Sequence, residues 1–392
     1  MRAQTRQGLR SSTRQQGGRQ RRALPAASAM AIAVMTLGAL TSPATATASA
    51  ARPDGVQQTL NALVRDDGMP AVLESVQDRS GRTRTYTAGV GNLATGEPVP
   101  ADGQVRIGSN TKTFVAVVVL QLVAERRVDL DAAIDTYLPG LVRGEGIDGR
   151  HITVRQLLQQ TSGLPNYSNY LGDDVRYYAP RELLGTALQH PADFAPGTSW
   201  KYSNTNYVLA GLIVQKVTGR PLAEEIDRRI IKRIGLRHTY FPAPGDASIR
   251  EPHPHGYYRE SADAPLRDIT EIDPSWGWAA GQMVSTGSDL NRFFSALLAG
   301  HLLPSAQLAQ MRSTVPAEAT FGPGARYGLG LVSRPLPCGS LSWGHGGSFP
   351  GYETRGGATD DGRATNVAVT MQLTDEAARR SLERAVDTAL CR

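Results

Sequence analysis

The stretch Gly108-Ser109-Asn110-Thr111-Lys112 precedes the most apolar helix-like run of the chain, residues 114–124. On a helix, a serine and a lysine three residues apart lie one turn from each other on the same face. A serine hydroxyl is a weak nucleophile, and a lysine can act as its base when burial or neighbouring cations lower the lysine pKa. The stretch therefore predicts a nucleophile with its base at a helix start, where backbone N–H groups favour negative charge. Taken alone, S-x-x-K equally fits a helix cap followed by a solvated lysine.

Residues 1–50 have the pattern of an export signal. Residues 1–22 carry seven arginines and no acid, an alanine-rich apolar run follows over 23–40, and small residues lie just before position 51. A basic region, a short apolar region and an A-x-A site in this order predict cleavage near residue 50 and a secreted protein. Arg21-Arg22 leaves both the Sec and the twin-arginine route open. The apolar run is too short and too weakly apolar to predict a stable membrane anchor.

Removal of this leader changes the charge of the protein. The chain has a net charge of +6, so subtracting the seven arginines leaves −1 for residues 51–392. Without a basic face or a block of like charge, we expect no nucleic-acid partner. The histidine and cysteine spacings match no metal-ligand set, so we expect no metal and no cofactor. We expect a monomer that acts on a small molecule or a peptide.

The remaining pattern predicts an α/β (α+β) fold, with an antiparallel sheet that is built from both chain ends and flanked by helices. Residues 71–76 and 83–90 predict a hairpin, and the stretches 327–332, 340–343, 352–358 and 366–373 predict further strands. A capped helix is expected over 286–298 and an amphipathic helix over 376–390. Short helix-period runs dominate between them. We therefore expect an α/β sandwich domain of residues 51–128 and 285–392, with an inserted, mostly helical domain of residues 129–284.

Two further stretches can face Ser109. In Trp200-Lys201-Tyr202-Ser203-Asn204, the tyrosine could carry a proton to a leaving group if Lys112 lowers its pKa, and Asn204 could bind Lys112 and a substrate amide. In Gly344-His345-Gly346-Gly347-Ser348, the glycines let a substrate backbone approach. The amides of Ser109 and Ser348 could form an oxyanion hole, with His345 shaping the electrostatics. Each stretch alone also fits an ordinary structural role.

In this order, Ser109-x-x-Lys112, Tyr202-Ser203-Asn204 and His345-Gly346-Gly347 resemble the three motifs of the serine β-lactamase and penicillin-binding superfamily. The tyrosine in the second motif and the histidine in the third resemble the branch of class C β-lactamases and D-Ala-D-Ala carboxypeptidases. The resemblance extends over nearly all of residues 51–392. It implies a β-lactamase/transpeptidase-like fold and a serine hydrolase with an acyl-enzyme intermediate.

The resemblance also implies roles for individual residues. Ser109 would attack a carbonyl carbon, while Lys112 and Tyr202 would share the duties of base and acid. Which of the two takes the first proton stays open. The residues expected to bind the substrate or its oxyanion are Asn204, Trp276, His345, Gly346, Gly347 and Ser348.

Two positions depart from the carboxypeptidase pattern. Gly346 stands where carboxypeptidases usually carry a threonine, and Val332 stands where an arginine would help to bind a terminal carboxylate. Ser348 could replace these groups in part. The first hypothesis is a D-alanyl-D-alanine carboxypeptidase-like enzyme on peptidoglycan-type peptides, with a β-lactamase, an esterase or a D-amino-acid peptidase as alternatives. A non-catalytic penicillin-recognising protein is the alternative of another class, whereas an α/β-hydrolase is disfavoured because no G-x-S-x-G motif surrounds any serine.

Cys338 and Cys391 are the two cysteines of the chain. Two cysteines of an exported protein usually pair, and two free thiols are the alternative. The position of Cys338 shortly before His345, with its partner near the end of the chain, resembles secreted D-Ala-D-Ala carboxypeptidases of the actinomycete type. We therefore expect a disulfide.

Overall fold

The computed structural model describes residues 54–172, 176–261, 263–373 and 375–392. The expected export signal at residues 1–50 lies outside the described residues. Within the described ranges, no helix has both the length and the apolar character that crossing a bilayer requires.

Most of the strands belong to one antiparallel sheet. Its order is β10-β11-β12-β13-β15-β16-β1-β2-β3, with β14 paired to β15, and three two-stranded sheets are formed by β4 with β9, β5 with β6 and β7 with β8. The strands are β1 (Ala71–Gln77), β2 (Thr83–Asn92), β3 (Glu97–Pro98), β4 (Val105–Arg106), β5 (Arg143–Gly144), β6 (Ile147–Asp148), β7 (Tyr257–Tyr258), β8 (Arg267–Asp268), β9 (Val284–Ser285), β10 (Val315–Pro316), β11 (Arg326–Tyr327), β12 (Val332–Pro335), β13 (Leu341–Gly344), β14 (Gly347–Phe349), β15 (Tyr352–Thr359) and β16 (Ala364–Val369).

Helices lie at both chain ends and dominate the middle of the chain. The helices are α1 (Gly55–Arg65), α2 (Asn110–Ala124), α3 (Val154–Gln159), α4 (Pro180–Leu188), α5 (Asn204–Thr218), α6 (Leu222–Ile226), α7 (Lys232–Ile234), α8 (Trp278–Gly281), α9 (Gly287–Leu298), α10 (Ser305–Met311), α11 (Glu318–Phe321) and α12 (Glu376–Leu390). The expected α/β fold is confirmed, whereas the boundaries of the two expected domains stay a prediction.

The centre of the sheet joins the two ends of the chain. In the ladder between β1 and β16, Val72 lies opposite Val369 and Gln77 lies opposite Ala364. The expected hairpin is present on the other side of β1, where Gln77 pairs with Thr83. The sheet is therefore built from both chain ends, as the sequence predicts.

Successive residues of β1 supply different hydrophobic clusters, because side chains alternate across a strand. Val72 packs with α1 and α12, whereas Leu73 belongs to the cluster that contains α2 and Phe293 of α9. Helix α2 is buried from Asn110 to Leu122. A helix that is apolar on all sides belongs inside a core, which explains the run at residues 114–124 and places Ser109 at the end of a buried helix.

Three local expectations need correction. The stretch 327–332 is not one strand, because Gly330 between β11 and β12 turns with a φ of +75° and donates to Leu158 O. Residues 222–234, one of the helix-period runs of the sequence, do not form a single α-helix, because the π-helical segment Asp227–Ile231 interrupts them. The capping box at Thr286 forms only in part, since the Asp289 carboxylate accepts instead from the His238 amide and the Thr239 hydroxyl.

The disulfide expected between Cys338 and Cys391 is present. It ties the residue that follows α12 to the loop before β13. Because the two cysteines are 53 residues apart, the chain-entropy model gives a stabilisation of about 4 kcal/mol. We predict that the double variant Cys338→Ser/Cys391→Ser lowers the free energy of unfolding by up to this amount in urea titrations. An unchanged unfolding midpoint, with thiol labelling confirming the native disulfide, would contradict the prediction.

A buried carboxyl group in β1 predicts a pH dependence of stability. Glu74 is 2% exposed, its Oε1 accepts from Thr365 Oγ1 at 2.7 Å, and burial raises its pKa to about 8. The unfolded chain loses this proton near the ordinary glutamate value while the folded chain keeps it, so stability falls with rising pH between these two values. The slope from this residue is at most about 1.4 kcal/mol per pH unit.

We predict that Glu74→Gln removes this contribution. Between pH 5 and pH 8, the wild type should lose stability relative to Glu74→Gln. The difference in free energy of unfolding, variant minus wild type, should therefore rise, as measured by urea unfolding at each pH. Parallel curves for the two proteins would show that Glu74 does not keep its proton in the folded state.

Candidate active site

Lys112 lies at the centre of the site. Its side chain is 0% exposed. Nζ donates to Asn204 Oδ1 at 2.7 Å and to the carbonyl of Ala280 at 2.8 Å, and it lies 3.0 Å from Ser109 Oγ, within hydrogen-bond distance. Ser109 makes no side-chain cap hydrogen bond. The arrangement is therefore not that of a helix cap beside a solvated lysine.

Burial decides the charge of Lys112. Desolvation lowers the pKa of its amine well below the ordinary value, and no carboxylate of the described residues forms an ion pair with it. A neutral amine has a lone pair that can accept the proton of Ser109. The geometry therefore pairs a hydroxyl with a suitable base in hydrogen-bond contact.

Tyr202 flanks the same pair. Lys112 Nζ lies 4.7 Å from the centroid of its ring, and the phenol interacts with the Ser109 hydroxyl. Burial raises the pKa of Tyr202 well above its ordinary value, and only Ser109 and Arg355 oppose this rise appreciably. The sequence made a role of Tyr202 as proton carrier conditional on a lowered pKa, and the pKa is raised instead. Tyr202 therefore keeps its proton in the resting site.

A buried network fixes the second motif at the start of α5. Asn204 Nδ2 donates to Ser168 Oγ at 3.2 Å, and the Asn204 amide donates to Asn166 Oδ1 at 3.0 Å. Gln160, which has a φ of +66°, accepts from the Ser203 amide through Oε1 at 3.0 Å. Three residues of this network, Gln160, Asn166 and Ser168, were not foreseen from the sequence, because no motif marks them.

Close backbone contact brings the first and third motifs together. A Cβ on Gly108, which has a φ of +48°, would lie 2.8 Å from the Ser348 nitrogen. A Cβ on Gly347 would lie 1.9 Å from the carbonyl oxygen of Ile107. Glycine at both positions thus lets the segment before Ser109 touch the segment at Ser348. Within the described chain, the Ser109 amide donates to no acceptor, so it is available to an oxyanion.

His345 borders the site as a neutral group. It is 2% exposed, its Nε2 lies 3.3 Å from the Tyr327 hydroxyl, and its Nδ1 lies 2.6 Å from the Gly346 carbonyl. Burial, the largest cause, lowers its pKa to about 3. The short contact to a carbonyl assigns the ring proton to Nδ1. His345 therefore shapes the pocket without adding charge at neutral pH.

Trp276 is held on another side of the site. Its ring stacks on Phe349 with centroids 5.2 Å apart, and its carbonyl accepts from the Tyr167 hydroxyl at 2.6 Å. The guanidinium of Arg106 packs over the ring of Phe349, 5.2 Å from its centroid. Phe349 follows Ser348 in β14, but neither ring of the stack is among the residues that line the cleft of Ser109.

The position of Arg355 was not foreseen from the sequence. Its side chain on β15 lines the same cleft as Ser109 and Tyr202. A Cβ on Gly346 would lie 3.0 Å from Arg355 Nη1, so the glycine leaves space for the guanidinium. Val332 also lines this cleft. The cleft thus contains a cation on β15, which β13 separates from Val332 on β12, and no linear motif indicates it.

Nearly all of the described chain matches one known family. The family model described as Beta-lactamase matches residues 56–390. The crystal structure of a D-stereospecific amidohydrolase from Streptomyces sp. is similar, with a TM-score of 0.77 and 39% sequence identity, over 84% of this chain and 97% of that chain.

Two curated proteins are similar in sequence. Esterase EstB of Burkholderia gladioli is 29% identical over 299 residues, which are 65% of this chain and 75% of the esterase. Protein flp of Staphylococcus aureus is 29% identical over 197 residues, which are 48% of this chain. The match spans 37% of the length of Protein flp.

The site predicts an unusual titration of one lysine. The chain has four lysines, of which Lys201, Lys216 and Lys232 are exposed. We predict that one lysine side-chain NMR signal titrates well below the ordinary lysine value, and that this signal disappears in Lys112→Arg. Four signals that titrate together near the ordinary lysine value would show that Lys112 is charged at neutral pH.

Proposed function

The chain belongs to the β-lactamase family, and from this membership we propose that it is a secreted serine hydrolase that cleaves amides of D-amino acids through an acyl-serine intermediate. The observation that carries the proposal is the hydrogen bond of 3.0 Å between Ser109 Oγ and the buried amine of Lys112. The name of the similar Streptomyces protein, a D-stereospecific amidohydrolase, supports the substrate class.

In the proposed acylation, Lys112 acts as the base. Its Nζ takes the proton of Ser109 while Oγ bonds to the carbonyl carbon of the substrate. The amides of Ser109 and Ser348 stabilise the negative oxygen of the tetrahedral intermediate. Tyr202 donates its proton to the leaving nitrogen as the C–N bond breaks, and the proton on Lys112 restores the phenol.

Deacylation uses the same groups in the reverse direction. A water molecule gives a proton to Tyr202 as Tyr202 passes its own proton to the neutral Lys112 amine, while the water oxygen bonds to the acyl carbon. The C–O bond to Ser109 then breaks, and the proton returns to Oγ. Asn204 keeps the Lys112 amine in place through the contact of 2.7 Å, and we assign it the further role of binding a substrate amide.

The carboxypeptidase hypothesis from the sequence is one form of this activity. It needs a group that binds a terminal carboxylate, and Arg355 in the cleft supplies a guanidinium for this purpose. Cleavage of esters is the second candidate, since Esterase EstB shares 29% identity with this chain. Secretion, based on residues 1–50, and the monomeric state are parts of the proposal that rest on the sequence alone.

We predict that Ser109→Ala and Lys112→Arg each lower kcat/KM for a D-amino-acid amide by about three orders of magnitude. The arginine stays charged at all accessible pH values and therefore cannot accept the serine proton. Circular dichroism is the control for folding. Retained activity in Lys112→Arg would remove the lysine from the role of base.

The substrate class is tested on one preparation with a panel of compounds. The panel contains a D-amino-acid amide, its L-enantiomer, a D-Ala-D-Ala peptide, a cephalosporin and a short-chain ester. We expect the highest kcat/KM for the D-amide, and stable labelling by a penicillin analogue in the wild type but not in Ser109→Ala. A folded wild type without turnover and without labelling would favour a non-catalytic recognition protein.

A further inference from the structure

The cleft at Ser109 does not end at the proposed catalytic residues. It has a volume of about 720 Å³ and continues from Ser109 and Tyr202 past Arg355 to the exposed side of α12, where Arg380 and Glu383 line it. Clefts that enclose a ligand of several functional groups have volumes in this range. The space therefore exceeds what the amide nitrogen of a simple D-amino-acid amide would occupy.

The contacts of Tyr202 identify this cleft as the leaving-group side. In the proposed mechanism the leaving nitrogen receives its proton from Tyr202 and so lies beside that phenol. The ring of Tyr202 makes edge contacts with Phe321 at 6.1 Å and lies 6.3 Å from His345, and both of these neighbours line the cleft. Asn204, to which we assign the binding of a substrate amide, does not line it.

Charged groups of both signs follow the cleft. Near its start, Arg355 Nη1 donates to Glu353 Oε1 at 2.6 Å, and the Arg355 side chain is 26% exposed. At the far end, Arg380 lies 3.5 Å from Glu376, and their side chains are 58% and 66% exposed. An exposed pair such as Arg380–Glu376 contributes little to stability and exchanges partners readily, whereas Glu353 of the first pair is only 6% exposed. A groove lined by charges of both signs can bind an extended peptide that has amide groups and both positive and negative side chains.

We propose that the leaving group of the natural substrate is a peptide of several residues that lies along this cleft as far as α12. This inference rests on the proposed function. The Tyr202 proton goes to the nitrogen of the peptide as the bond to the acyl carbon breaks, and one water molecule later releases the D-amino acid from Ser109. Interactions along the cleft bind the transition state as well as the substrate, so a longer leaving group raises kcat/KM.

The experiment compares substrates with one D-acyl group and leaving groups of increasing length: ammonia, glycine, and a tetrapeptide that contains one lysine and one glutamate. We expect kcat/KM to rise by about tenfold from the amide to the tetrapeptide substrate. In Arg380→Ala/Glu383→Ala, the ratio of kcat/KM for the tetrapeptide substrate to that for the amide should fall about fivefold.

Arg384→Ala is the matched control, because Arg384 is an exposed arginine of α12 that does not line the cleft. This variant should keep the wild-type ratio. A ratio of one in the wild type, or an equal fall in the control, would overturn the inference even while the D-amide is hydrolysed.

Binding to Ser109→Ala separates this inference from the proposed function. Calorimetry with the intact tetrapeptide substrate should give an affinity about tenfold higher than that for the amide, whether or not the wild type turns either compound over. Equal affinities would overturn the inference, whereas absence of turnover by the wild type bears on the proposed function.

Discussion

The site depends on a lysine amine enclosed by protein without a carboxylate partner. The Lys112 amine is held by Ser109, by Asn204 at the start of α5 and by the Ala280 carbonyl in α8. A buried charge without a counter-ion is very unfavourable, so the group becomes neutral instead. The same three contacts that satisfy the amine also hold the segments of the site together. Burial of the Lys112 side chain is therefore needed both for the packing of these segments and for the neutral state of the amine.

Glycines set how closely these segments approach. At Gly108 and Gly347 a Cβ would overlap with backbone atoms of the opposite segment. Gly346 instead faces a side chain, that of Arg355. The first two glycines thus keep the amides of Ser109 and Ser348 near each other, whereas the third leaves space for the Arg355 guanidinium. Neighbouring glycines of one motif have different functions, which the sequence pattern does not distinguish.

Local patterns predicted the fold and the contact between Ser109 and Lys112 well, because their signals lie within a few residues. Helix α12 was predicted with its observed bounds, Glu376–Leu390, and the contact of Ser109 with Lys112 follows from helical periodicity. The remaining parts of the site depend on contacts between distant segments. Burial of Tyr202 raises its pKa, and the extent of this burial cannot be derived from the motif alone. Arg355 is brought to the cleft by strand pairing, so no spacing along the chain marks it.

The pairing at the centre of the sheet has a consequence for the order in which the protein can fold. Strands β1 and β16 are hydrogen-bonded neighbours, with Val72 opposite Val369, although almost the entire chain separates them in sequence. Closing such a long loop is slow compared with forming helices and hairpins. During synthesis the hairpin of β1 and β2 must therefore wait with one edge open until the last strand emerges. A ribosome-bound chain is thus most exposed to misassembly at the edge that later becomes the best-protected part of the molecule.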